Sequence, residues 1–286
     1  MIGKRLSLDS VNRAVAKLVK DKKVGERKGF YFLRNRSSIV STRARRTDYS
    51  QSKLKRARFY AKLLGLIPTL KLVVVSGALA MQNSTKNDDI DLAVVSSPRT
   101  VWTTRFLCNL ILYFLKRDPQ SKKVSNRACL NVFIDGSDLK IKDQNLYIAH
   151  EICQMLPLLD RQQTYSHVAP VNANTNIKRS LSVYSRFMRS NSWVGKYLPN
   201  WTPLAVNGKW KIVNRKSGLR IYSPFTINYS PIETLLKKFQ LWYMAKRIST
   251  ERIGEHQLFF HPKNTQNLVL NEYKKRLKRL KIPASN

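Results

Sequence analysis

Apolar positions along the chain change their spacing several times, and each change predicts an element. Val11, Ala14, Val15, Leu18 and Val19 recur at three- and four-residue intervals with lysines between them, the stripe of an amphipathic helix. The next segment, KKVGERKGFYFLRNRSSIVSTRARR, holds two β-rich runs, GFYFL and SIVST, joined by RNRS, and predicts a basic hairpin. A helix leading into a basic hairpin has the outline of a winged-helix unit, and equally of a small capping subdomain with a solvated tip; either fits residues 1–50. Leu54, Ala57, Ala61 and Leu64 mark a second helix with Lys53, Lys55, Arg56 and Arg58 on its outward face, ended by Gly65 and Pro68.

The pattern then changes from periodic to continuous. LVVV, Leu72 to Val75, predicts a buried strand that breaks at Gly77, and Ile90 to Val95 predicts a second. Ser97-Pro98 suits a helix start, followed by Trp102, Phe106, Leu110 and Tyr113 and an end near Lys116-Arg117. CLNVFID is a third strand, closed by the turn pair Asp135-Gly136. A helix from Asn145 to Leu156 stops at Pro157, so residues 51–160 form one α/β core. RQQTYSHVAPVNANTN has a linker's composition, and residues 177–286 form a mainly helical C-terminal region. In that region Ser230-Pro231-Ile232-Glu233 is a capping box leading into Leu235, Leu236, Phe239, Trp242 and Tyr243, and a last helix, 265–280, ends in the basic YKKRLKRLK. The class expected is α+β: a mixed sheet with flanking helices.

Charge alters this picture more than composition does. Lys+Arg number 53 against 17 Asp+Glu, a net +36, which points to a polyanionic partner, nucleic acid before an anionic membrane surface. A generally basic cellular background is the competing explanation. NSWVGKYLPNW and GKWKIVNRKSGLRIYSPF interleave aromatics with Lys and Arg, as base stacking with phosphate neutralisation requires and as a basic-rimmed core also would. Three scattered cysteines without CxxC, and four histidines without HxxxH, exclude a disulfide framework and a structural zinc site of familiar spacing. The most hydrophobic segment, FLCNLILYFL, is about half a membrane span, and no signal-peptide core opens the chain, so a cytoplasmic location is expected. GxxxxGK[ST], GxGxxG and GxSxG are absent, which removes the main support for P-loop, Rossmann and α/β-hydrolase chemistry.

Against that background Asp88, Asp89 and Asp91 stand together immediately before the apolar run Leu92–Val95. Alternate strand residues share a face, so Asp89 and Asp91 project to one side while Ile90, Leu92 and Val94 project to the other. Two carboxylates side by side repel unless a cation lies between them, and Mg²⁺ favours oxygen ligands shared with phosphate. Gly77, directly after a hydrophobic strand, allows backbone N–H groups to approach a phosphate. A solvated acidic loop is the plainer alternative, and Asp88 reads as loop on either view.

Strand, Gly77, short helix, and DDIDLAVV heading the next strand resemble the nucleotidyltransferase superfamily that includes DNA polymerase beta. More loosely, segments such as CLN and FHP are similar to uncharacterised bacterial nucleotidyltransferase-domain proteins. The resemblance, carried by residues 68–140, implies a polymerase beta-like core with Mg²⁺ on Asp89 and Asp91. It also implies a nucleoside triphosphate across Gly77 and Ala78, and transfer of its nucleoside monophosphate to a hydroxyl acceptor, for which the charge favours RNA. It further implies a third carboxylate from the third strand, where the centre is Asn131 and the acid available is Asp135, a residue that better suits the start of its turn. Arg105 is the candidate for the triphosphate, or a surface ion-pair partner. Ala78 departs from the serine usual after the glycine, and Asn131 from the acid. Two other readings therefore stand beside an active enzyme: a nucleic-acid-binding protein on a degenerate core, and a transferase acting on a protein or small molecule.

Overall fold

The computed structural model describes residues 6–118, 124–161, 182–201, 230–245, 251–260 and 265–281. At its centre lies a six-stranded mixed sheet in the order β6-β3-β4-β5-β8-β7. Its strands are β3 (Leu70–Val75), β4 (Ile90–Ser96), β5 (Ala128–Ile134), β6 (Leu156–Asp160), β7 (Arg252–Ile253) and β8 (Gln257–Phe259). β4 runs parallel to β5 and antiparallel to β3, and β6 and β8 are antiparallel to their inner neighbours.

Both faces of the sheet are covered, which is why β3 and β4 read as continuous apolar runs. Val73 and Val75 join Ile90, Leu92, Val94 and Phe133 on one face, packed by α2 (Ser38–Leu64), α4 (Val101–Ile111) and α8 (Ser230–Met244). Leu72 and Val74 join Ala93, Val95, Val132 and Ile134 on the other, packed by α5 (Leu146–Gln154), α6 (Val183–Ser190) and α7 (Val194–Tyr197). Period-two alternation thus feeds two cores from the same residues. The mixed α+β class is the expected one.

The N-terminal hairpin forms one run earlier than the pattern suggests. β1 (Val24–Arg27) pairs with β2 (Phe30–Leu33) around Lys28-Gly29, both at positive φ, the backbone that a two-residue hairpin turn needs. SIVST is helical instead: it opens α2, which runs without a break through residues 50 and 51. Val40 and Ser50 are buried along that helix, so tertiary contact overrides the β-branched propensity of the segment. α1 (Leu8–Lys20) begins at a Ser7 cap and buries none of its residues.

Four other expectations shift. LPLLD ends no helix but forms β6, because an antiparallel position beside β3 satisfies its backbone and buries all five residues. α4 starts at Val101, not Ser97, and the 97–100 turn precedes it. The C-terminal region contributes β7 and β8 to the sheet beside helices that include α9 (Thr265–Arg279). On α8, Leu235, Phe239 and Trp242 are exposed while Gln240 and Met244 are buried, since the helix presents its Glu233–Gln240–Met244 edge to α4. Glu233, the acid of the expected capping box, reaches across to α4. Its carboxylate accepts the Trp102 and Thr103 N–H groups at the start of α4, at 2.7 and 2.8 Å. GKWKIVNRKSGLRIYSPF and nearly all of the linker segment lie outside the described residues. Trp193, from the other aromatic-basic segment, is core: it is buried and donates to Asn191 at 3.0 Å.

Candidate functional site

The site forms where the C-terminal end of β3 meets the N-terminal ends of β4 and β5. Val75 pairs with Leu92, and the Ser76 N–H donates to the Asp91 carbonyl at 3.1 Å, which places the Gly77 turn beside the acids. Gly77 has φ +63, and a Cβ there would lie 2.9 Å from Asp91 Oδ2. Only glycine meets both conditions, the left-handed backbone and the close carboxylate. Behind it α3 (Gly77–Ala80) is a single turn with Ala78 exposed.

Asp91 faces the α5 side of the sheet, as the alternation with Ala93 and Val95 dictates. Across the parallel ladder its partner is Cys129. Oxygen atoms of Asp89 and Asp91 and the Cys129 Sγ all lie within 4.8 Å of one another. A register shift between Leu92 and Ala93 leaves Asn131 between paired positions, and its Nδ2 donates to Asp91 Oδ1 at 2.8 Å. The Asn131 Oδ1 is buried without a hydrogen-bond partner.

Charge at this edge is unbalanced. Desolvation, reinforced by Asp89 and Glu151, pushes the Asp91 carboxyl up to about 7. Glu151, from α5, is also raised, by burial, although the Gly77 backbone N–H donates to it. Arg117 opposes these acids through its contact with Asp89 at 2.8 Å, which raises the guanidinium in turn. Glu151 and Arg117 carry no sequence motif; only the packing of α5 and the return of the chain after α4 bring them here. A cavity of about 230 Å³ adjoins the cluster, with Ser76 and Glu151 in its wall beside Tyr147, Phe259, Arg252 and Gln266.

Asp88 is a loop acid. Its carboxylate accepts the Thr85 N–H at 2.7 Å and the Thr85 and Ser84 hydroxyls, which hold it below the usual carboxylate range against burial. Lys53 anchors the same loop from beneath. Expected on an outward face, it is 2 % exposed and donates to the Lys86 and Asp88 carbonyls and to Asn126 Oδ1.

The other expected site residues lie elsewhere. Asp135 is buried at the opposite end of β5, six residues beyond Cys129 and so about 20 Å along the strand. Its oxygens accept the Arg99, Thr100 and Ser137 N–H groups and the Ser137 hydroxyl. It holds the turn that launches α4 and joins no acid cluster. Arg105 is on α4, across the sheet from Asp91. Its guanidinium binds Gln240 and Met244 Sδ and stacks 4.2 Å from the Phe260 ring. Burial lowers it to about 10, and its bonds commit it to the α4–α8 contact.

Comparison with profiles of known protein families, with curated proteins and with solved structures finds no match for this chain.

Proposed function

We propose that the chain is a divalent-cation-dependent nucleotidyltransferase on a polymerase beta-like core, moving a nucleoside monophosphate from a nucleoside triphosphate to a hydroxyl acceptor. The observation that carries this is the closeness of the Gly77 turn to Asp91, with Asp89 on the same edge. A solvated acidic loop has no need of a positive-φ glycine under a carboxylate that has been drawn out of water. The donors fit a hard ion in part: Asp89 and Asp91 supply the oxygens that Mg²⁺ requires, and the Asn131 Oδ1 is a further buried acceptor lacking a donor. When bound, such an ion would neutralise charge on the reacting phosphate.

The chain's own groups supply the rest. The Gly77 N–H, which donates to Glu151, is the backbone donor a phosphate oxygen would take over. Glu151, with its proton affinity raised by burial, is placed to receive the acceptor's hydroxyl proton. The adjoining cavity, with Tyr147 and Phe259 in its wall, has the flat apolar surfaces a nucleoside needs. Exposed Lys and Arg on α2 and on the end of α9, among them Arg45, Lys55, Arg56, Lys274, Lys275 and Arg279, suit an RNA acceptor. Unpaired Cys108, Cys129 and Cys153 fit a reducing, cytoplasmic setting, and no helix of the described residues is long and apolar enough to cross a membrane.

Two observations favour a second reading, a nucleic-acid-binding protein on a degenerate core. Asp135 is engaged far from the cluster, and Ala78 brings no hydroxyl to the turn. Incubating the protein with labelled nucleoside triphosphates, total RNA and Mg²⁺ or Mn²⁺, beside an Asp89→Ala/Asp91→Ala variant, separates them. Label transferred to RNA by the native chain alone is the expected result. Equal RNA binding by both proteins with no transfer would favour the binding module, and label on protein or a small metabolite would make that the acceptor.

A further inference from the structure

The third ligand atom of the cluster is a sulfur, and it stands in the position directly across the ladder from Asp91. We propose that Cys129 is a protein ligand to the cation held by Asp89 and Asp91, so that the site selects a thiophilic divalent ion of the zinc class over Mg²⁺. This rests on the reading of the two aspartates as cation ligands, though not on nucleotidyl transfer itself.

Three features support it together. The register makes Asp91 and Cys129 neighbours on one face, so their approach is a property of the sheet rather than of a flexible loop. The two carboxylates and one thiol give three protein ligands, the number that zinc sites with an open position use. Independently, the Asn131 amide reaches into the cluster: its Nδ2 is bonded to Asp91 Oδ1, its Oδ1 is an orphan, and the residue is 4 % exposed. A buried acceptor without a donor, on an amide bonded to one of the three ligand residues, would be satisfied by water that an ion brings with it. Binding replaces the sulfur–hydrogen bond by a sulfur–metal bond and sends the thiol proton to solvent. Mg²⁺ gains little from sulfur, whereas thiolate favours zinc and cadmium.

Cadmium is the probe, because its bond to thiolate absorbs in the ultraviolet. Native protein, Cys129→Ser and a Cys153→Ser control are titrated with Cd²⁺, while Mn²⁺ binding to each is followed by equilibrium dialysis. The band should appear in native protein and in the control, be absent from Cys129→Ser, and be displaced by Zn²⁺ but not by Mg²⁺. Zn²⁺ affinity should fall at least about tenfold in Cys129→Ser, since loss of even an outer-shell partner costs that much. A second measurement needs no variant: Zn²⁺, and not Mg²⁺, should slow alkylation of Cys129 as read by peptide mass. A band that survives in Cys129→Ser, or is missing from native protein that still binds Mn²⁺, overturns thiol ligation and leaves the aspartate site standing. Native protein that binds neither ion overturns both.

Discussion

Two aspartates occupy opposite ends of the central sheet, and their surroundings could hardly differ more. Asp135, 1 % exposed, accepts four hydrogen bonds from the turn it organises. Asp91 accepts from the Asn131 amide, has the Cys129 thiol within hydrogen-bond reach, and faces the charges of Asp89 and Glu151. The first is a carboxylate whose charge is fully used by the fold. The second is held in place by the fold among like charges that disfavour its ionised form. Asp160 and Glu233 belong with Asp135: one accepts N–H groups at the start of α6, the other at the start of α4. Asp135 and Asp160, the buried acids among the described residues, both serve helix starts, and against them the crowded edge stands out.

Breaking the satisfied end should have the larger effect. Asp135→Ala orphans several donors and should cost about 3–5 kcal/mol by denaturant unfolding, while leaving cation binding at the other end unchanged. Loss of cation binding with native stability would reverse the assignment of the two ends. Asp91→Asn should act in the opposite direction on metal-free protein. The native carboxyl is raised from 3.8 to about 7, so the folded state binds the proton more tightly, and stability falls as pH rises between those values. The variant should therefore be more stable by roughly 4 kcal/mol above pH 7, at ~1.4 per unit, and equal to native protein below about pH 4. Thermal melts across that range in chelator check the sign; a pH-independent difference would discard the crowded-acid account.

A smaller effect is expected at Gly77. Gly77→Ala places a Cβ against Asp91 Oδ2 at a positive φ and should cost about 1–2 kcal/mol together with a drop in cation affinity. Native affinity in that variant would separate the turn from the acids. Smallest is Arg117→Ala. The pair with Asp89 is partly exposed, so stability should change by less than ~1 kcal/mol. Cation affinity should rise, because the guanidinium and the ion compete for the same oxygen; dialysis with Mn²⁺ reads this, and weaker binding would make Arg117 part of the ligand's own anchorage.

Much of the core was legible before any coordinates. LVVV and LAVV announce strands covered on both faces, the strand alternation puts Asp89 and Asp91 together, and Gly77 after a strand marks a tight turn. Such signals are local: they depend on the period of side chains along one element. Cys129 had no such signal, because its importance comes from lying opposite Asp91 in a ladder whose register shifts by a residue just beyond it. Glu151 sits inside an ordinary amphipathic helix, and Arg117 after another. Asp135 and Arg105 misled for the same reason in reverse, since each has a residue type that suits the chemistry and a position that does not.

The sequence alone therefore determined the strand–glycine–acid–strand order, the paired aspartates and the basic exterior, all of which follow from backbone periodicity and composition. Tertiary structure alone decided which groups share the edge with those aspartates. It replaced an expected carboxylate from β5 by a thiol and an amide, brought a glutamate from α5, and sent Asp135 and Arg105 to structural duty. The physical reason is that ladder register and helix packing are settled by burial of the whole sheet on both faces, a condition that no single segment contains.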